Sequence, residues 1–380
     1  MIGVTGILKS LPITFPLSFA ENSGNMIHGD VPFRMFRESY LAIDRSWPGY
    51  DEGDRFKDFV NGSCTHVVIT CANMFRANDF GPNIRKRYVK LEEMLSGYKK
   101  PVILFGLGVQ AAEQDLSKVD FPPEAISAMQ AISEKAHSVS VRGEFTKSVL
   151  AKYTNVDNVF VTGCPSFFSA PESFTQLQAN LSHLKSNDSP RFSFSGTHFN
   201  KKYEQRLLLK AIQGNGFLIE PQNKDNYIFH RESLDNPELV QVPDHFRNLL
   251  TGPRPELSRA ELVEFFSNRF KMFRDIKPWD EFNREFIDFT FGTRFHVNMS
   301  SILSGKPALW LTHDSRTREL AQTLNLPSLE IEEASSMDMS EIIESADYSA
   351  LFDNLDNMFE TFNDFLRHSD LPTVAMPRLS

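Results

Sequence analysis

Three cysteines in 380 residues, Cys64, Cys71 and Cys164, are too few and odd in number for a disulfide framework. No Cys-x-x-Cys or His-Glu-x-x-His spacing occurs, so no zinc motif is present and no metal is expected. No apolar run approaches about 18 residues, which leaves no membrane span. Lys9 followed by Leu11–Ala20 loosely resembles a secretory h-region, but Pro12, Pro16 and Ser18 interrupt it and no small-residue cleavage site follows, so no leader is expected. A basic excess is also missing: 40 Lys+Arg stand against 49 Asp+Glu, a net charge of −9. That disfavours a protein that coats nucleic acid, which needs a basic surface. An anionic small substrate stays open, because a few clustered arginines reverse the local field. Gly-x4-Gly-Lys-Ser/Thr and Gly-x-Ser-x-Gly are absent, excluding a P-loop and a hydrolase elbow. Gly106-Leu107-Gly108 is no dinucleotide fingerprint. Ala111 is tolerated at its third position, but no acidic residue sits at a strand end about 20 residues on.

Short apolar runs alternate with helical patterns. Segments 65–73, 101–111, 138–142 and 159–163 read as strands, with helices over 122–136 and 143–153. Such alternation indicates a parallel sheet. Segment 171–190 loses strand signals and gains Ser, Asn, Gln and Pro, which suggests a connector. Strands resume at 192–196, 216–221, 286–290 and 306–313, and helices are expected over 201–213, near 239–250, and over 257–268, 278–285 and 315–324. Tyr348, Leu351, Leu355, Met358, Phe362, Phe365 and Leu366 fall at helical spacing and predict a long amphipathic C-terminal helix. The fold class expected is α/β, two Rossmann-like domains facing a central cleft: residues 1–180, residues 181–345, and a C-terminal helix and tail over 346–380. Most of the 34 phenylalanines are expected in the core.

The most informative segment runs from Gly292 to Ser301, GTRFHVNMSS, after a strand and into a helix. A helix start offers free N–H groups and a partial positive charge to an anion. Arg294 adds a planar fork for phosphate or carboxylate. His296 can give or take a proton near neutrality. An isolated Arg-x-His is more often a surface ion pair and a core histidine; the strand–turn–helix placement raises the functional alternative. Ser140-Val141-Arg142-Gly143, His313-Asp314-Ser315-Arg316 and Gly163-Cys164-Pro165-Ser166 also follow strands. Asp314 or Ser315 reads as a helix N-cap, and Cys164 as a small buried hydrophobe rather than a nucleophile. Asn22–Asn25 and His28-Gly29-Asp30 form a glycine- and amide-rich loop. Four Asn-x-Ser sequons begin at Asn61, Asn180, Asn187 and Asn298. A glycan on Asn298 would block the strongest motif, so a cytoplasmic location is expected.

Taken in order, the GN…GD loop, PVILFGLGVQ, SVRGEFT, GCPS and GTRFHVNMSSILSGKPALWLTHDSR resemble the polysaccharide pyruvyl transferase family over roughly residues 20–325. The resemblance implies a GT-B-like arrangement. It implies transfer of the pyruvyl unit of phosphoenolpyruvate onto two hydroxyls of a sugar in a glycan or a lipid- or nucleotide-linked precursor. A ketal forms and phosphate leaves, without a cofactor. Arg294 and His296 match the family's Arg and His, and Arg142 its mid-chain Arg. Arg316 stands where many members carry Lys. NMIHGD is longer than the family's compact loop, and Cys164 stands where members often have Asp. The implied donor site is Arg142, Arg294, Arg316 and Ser300. Asn25, Asp30, Asn73, Gln110, Ser166 and His313 are implied on the acceptor side or in the cleft, and peripheral membrane association stays open. The residues also allow a glycosyltransferase that uses a nucleotide sugar, or a non-catalytic glycan- or anion-binding protein.

Overall fold

The computed structural model describes residues 1–36, 53–251 and 256–379. The short apolar runs form the strands of two parallel sheets. The first holds β1 (Ile2–Gly6), β2 (His66–Thr70), β3 (Asn73–Arg76), β4 (Val102–Gln110), β5 (Ala136–Val141) and β6 (Val159–Val161). The second holds β7 (Phe192–Ser195), β8 (Phe217–Ile219), β9 (Phe270–Lys271), β10 (Phe289–Gly292), β11 (Ala308–Thr312) and β12 (Ser328–Glu330). This is the α/β architecture of two sheet domains that the alternation predicts.

The sheets are wound differently. The first steps one way, β1-β2-β4-β5-β6, with β3 against β4. Right-handed crossovers that advance in one direction put their helices on one face. Val67, Ile69, Leu104 and Val139 accordingly share a core with Leu91, Met129 and Val149 of the crossover helices. Alternation along the strands sends Val68, Ile103 and Phe105 to the opposite face. There they join the core that continues into the second sheet. The C-terminal helix Ser349–His368 returns to cover this face, packing Phe362 and Phe365 on Phe105.

The second sheet has the order β12-β11-β10-β7-β8-β9. The chain moves outward from β7 to β9, then restarts at β10 beside β7. Ligand crevices in such sheets lie at this reversal, beyond the carboxyl ends of the two central strands. Gly292 ends β10 opposite Ser195, at φ +153°, and a Cβ there would come within 2.2 Å of the Ser195 carbonyl oxygen. Only glycine lets the two strand ends approach this closely.

Several expectations need adjustment. β1 is a full member of the first sheet although no strand is expected there; Ile2, Val4 and Thr5 favour a strand, but its two glycines weaken the signal. Leu11 and Phe15 are buried within the stretch that resembles an h-region, and the Leu11 N–H bonds to the Arg274 carbonyl. Segment 171–190 contains the helix Ser173–Lys185, whose Phe174, Leu177 and Leu184 are buried at helical spacing beneath its polar composition. The strand expected at 286–290 begins at Phe289, because the preceding helix runs to Phe286 and Asp288 turns to Arg191. Near 239–250 a 3-10 turn, Asp244–Phe246, leads into the short helix Arg247–Thr251. Of the polar stretch 222–256, residues 252–255 lie outside the described residues; the helix Lys224–Asp235 within it was not anticipated. No helix among the described residues is long and apolar enough to cross a membrane.

Candidate active site

The carboxyl ends of both sheets open onto one cleft of about 570 Å³. The loops after β7 and β10 form its second-domain wall. Buried Glu204 shapes both: it accepts the backbone N–H of Thr197 (2.9 Å) and of His198, and the Thr293 hydroxyl (2.9 Å). Glu220 fixes the turn after β8 by accepting the N–H groups of Gln222 and Asn223. Between these anchors Arg294 donates Nε to the Gly196 carbonyl (2.9 Å) and Nη1 to Gln222 Oε1 (3.3 Å). Burial weakens the hold of the Arg294 guanidinium on its proton, and Glu220 and Glu204 counter that.

The helix Phe295–Leu303 is buried on all sides and wedged between the domains. His296, one position into it, reaches the cleft at 8% exposure. Burial first, then Arg142, His28 and Arg316, press its pKa well below the ordinary value. The imidazole is therefore neutral at pH 7 in the ligand-free protein. Its ring stacks on His28 at 5.9 Å between centroids, and Nε2 lies 3.4 Å from Cys164 Sγ.

Arg142 enters from the first domain at the end of β5. It donates Nε to the Gly106 carbonyl (3.1 Å) and Nη1 to Asn73 Oδ1 (2.8 Å), while its buried Nη2 has no partner in the protein. Arg316 Nη2 lies 3.3 Å from Asp314, and its Nε is also buried without a partner, as is His313 Nδ1. Burial lowers the His313 pKa despite the neighbouring Asp314. The helix Ser315–Thr323 bridges the two domains: Ser315 Oγ donates to the Ala111 carbonyl (2.6 Å), and buried Glu319 accepts from Thr146 N–H (2.7 Å). These bonds carry Arg316 to the first domain's edge.

Arg142, Arg294, His296, Arg316, Asn25, Asn73, Gln110 and His313 all line this cleft. Three expected residues do not. Asp30 lies two residues past His28, about 200° around the helix. Its carboxylate takes the Arg34 Nε at 2.7 Å in a separate groove. Ser300 sits a turn deeper than His296, donating to the Val297 carbonyl (2.8 Å) and accepting from Asn283 Nδ2 (3.1 Å). Ser166 is fully buried behind Cys164, Oγ to Sγ 3.1 Å. Sequence reasoning missed Arg76, Arg87, His198 and Gln222 in the cleft, and singled out His28, which lies beneath it, only as part of the N-terminal loop. Arg76 ends β3, as Arg142 ends β5, so the same criterion could have found it. Arg87 lies mid-helix and carries no local signal. Five arginines thus converge on one cleft.

The model of the polysaccharide pyruvyl transferase family matches residues 22–315. The chain belongs to that family. The match includes β2 to β6, Arg142 and the Arg294/His296 segment, so the pyruvyl-type transferase assignment draws on both walls of the cleft. No curated protein sequence matches the chain. Among solved structures, this pyruvyl transferase family member is similar to Anabaena HepE, solved with UDP-glucose: 10% identity, 97% of this chain and 98% of that one, TM-score 0.47. It is also similar to sucrose-phosphate synthase of Thermosynechococcus elongatus, at 8% identity, 97% and 94% coverage and TM-score 0.46. A third similar structure is the UDP-GlcNAc 2-epimerase of Methanocaldococcus jannaschii, at 9% identity, 90% and 91% coverage and TM-score 0.38.

Proposed function

We propose that this family member uses phosphoenolpyruvate as donor and forms a pyruvyl ketal on two hydroxyls of a sugar in a glycan or glycan precursor, in the cytoplasm. One observation carries the reading: Arg142, Arg294 and Arg316 converge beside a neutral His296, with Arg142 Nη2 and Arg316 Nε unpartnered. Phosphoenolpyruvate carries a phosphate and a carboxylate, close to three negative charges. Guanidinium forks match both groups. Their fixed positions supply orientation and charge stabilisation.

The proton balance suits one imidazole. In the first step a sugar hydroxyl bonds to C2, losing a proton, while the methylene carbon gains one. Neutral His296 takes the first and returns the second. In the next step the C2–O bond to phosphate breaks, and a second hydroxyl closes the ketal, its proton leaving with phosphate. The donor's negative charge opposes the arginines and raises the His296 pKa towards a useful range.

A thermal-shift titration tests the donor. Phosphoenolpyruvate at 100 times its dissociation constant should add about 2.7 kcal/mol of stability to the wild type. The shift should vanish in Arg142→Gln. A shift with UDP or GDP instead of phosphoenolpyruvate would overturn the reading in favour of a nucleotide-sugar enzyme.

A further inference from the structure

Three side chains far apart in sequence meet just beneath the cleft: His28, Cys164 and His296. Among the described residues they form the one group of three or more metal-ligating side chains whose ligand atoms all lie within 4.8 Å of one another. Each comes from a different, well-held element. His28 belongs to the helix Asn25–Gly29, Cys164 follows β6 between Gly163 and Pro165, and His296 lies on the interdomain helix.

We propose that His28, Cys164 and His296 bind a thiophilic divalent cation of the zinc type, through three protein ligands and a fourth position open to the cleft. His28 Nδ1 lies 3.7 Å and His296 Nε2 3.4 Å from Cys164 Sγ. Zinc bonds of about 2.3 Å to sulfur and 2.0–2.1 Å to nitrogen in a tetrahedron require S···N separations of about 3.5 Å. The outer contacts are those a metal site needs. His28 Nε2 donates to the Phe105 carbonyl at 3.0 Å, which fixes the tautomer and leaves the Nδ1 lone pair aimed at the cluster. The Ser166 hydroxyl, 3.1 Å from Sγ, can donate to a thiolate. Burial pushes the Cys164 thiol pKa up, and Arg142, which opposes a dication, pulls it part of the way back; an ion on Sγ supplies the remaining stabilisation of the thiolate. With imidazole and thiolate donors and no carboxylate, the site selects a zinc-like ion over magnesium or calcium.

A consequence rests on the proposed function. The His296 Nε2 lone pair can hold a proton or a metal, not both. With Nε2 as the nitrogen that exchanges the proton, occupancy withdraws His296 from proton transfer and makes the ion a brake that a chelator releases. The ion would also tie the second-domain helix to the first domain and raise the melting temperature.

The site is tested without any substrate. Chelator-treated protein is titrated with cobalt(II) as a spectroscopic stand-in for zinc. One equivalent should produce a thiolate-to-cobalt charge-transfer absorption in the near ultraviolet, and zinc should displace it. Cys164→Ser should lose that absorption while Cys64→Ser keeps it. His296→Gln keeps the thiolate and removes a ligand. Loss of an outer-shell partner already costs 10–100-fold in affinity, so its cobalt affinity should fall at least tenfold. No such absorption in folded wild type, or one that survives in Cys164→Ser, overturns the proposal. Because the readout is the protein's own absorption, the outcome is independent of whether phosphoenolpyruvate is the donor.

Discussion

At the residue scale, buried charge explains most of the site. His296 is held neutral by burial and by Arg142, so the proton role proposed for it begins from the basic form. With phosphoenolpyruvate as the proposed donor, His296→Ala should lower phosphate release by about 10²–10⁴-fold. Its far-ultraviolet circular dichroism should stay unchanged, since the lost ring projects into a cleft. Full turnover in this variant would remove His296 from the mechanism. Asp288 makes a different kind of prediction. Burial pushes its carboxyl up, but the side-chain and backbone bonds from Arg191 outweigh this and hold it below its ordinary value. Its folded pKa is thus below the unfolded value of about 3.9. The stabilisation is complete above that value and is lost as the pH falls through the folded one. The melting-temperature gap between wild type and Asp288→Asn should be open at pH 7 and narrow below about pH 4. A gap independent of pH would show that the pair contributes no charge-linked stability.

At the element scale, the strand–turn–helix unit turned sequence into site. Arg142, Arg294 and Arg316 all sit just past a strand end, where short sequence rules work well. The cap of the helix Ser315–Thr323 was equally legible: Asp314 accepts from the Thr317 N–H at 2.9 Å. Asp314→Ala should cost about 1 kcal/mol in urea unfolding, and Asp314→Ser should recover most of it. No recovery by serine would assign the loss to the neighbouring Arg316 ion pair instead. Ser300 shows the limit of the rule. Helical spacing puts it near His296, but the turn between them carries it out of the cleft and into bonds with Val297 and Asn283. Ser173–Lys185 shows a different limit, because polar composition masked a regular apolar stripe.

At the scale of the whole molecule, winding direction decides which surfaces need cover. The one-way first sheet leaves a face that its own crossovers cannot reach, and the last helix of the chain fills it. Phe365 is fully buried there against Phe105, Phe160 and Phe362. Phe365→Ala should destabilise the protein by about 3–5 kcal/mol. Because this core runs unbroken into the second sheet, unfolding should stay a single transition. Two separated transitions in calorimetry would show that the domains unfold independently.

The sequence by itself determined the α/β alternation, the amphipathic last helix, the three strand-end arginines and the Arg-x-His segment. All of these are local patterns, read from periodicity or from a residue's place beside a strand. Only the tertiary structure decided that Asp30, Ser166 and Ser300 stand outside the cleft while Arg76 and Arg87 stand within it. It alone brought His28, Cys164 and His296 together across more than 260 residues of chain. The physical reason is that side-chain direction and long-range proximity follow from sheet winding and helix packing, which no local pattern encodes.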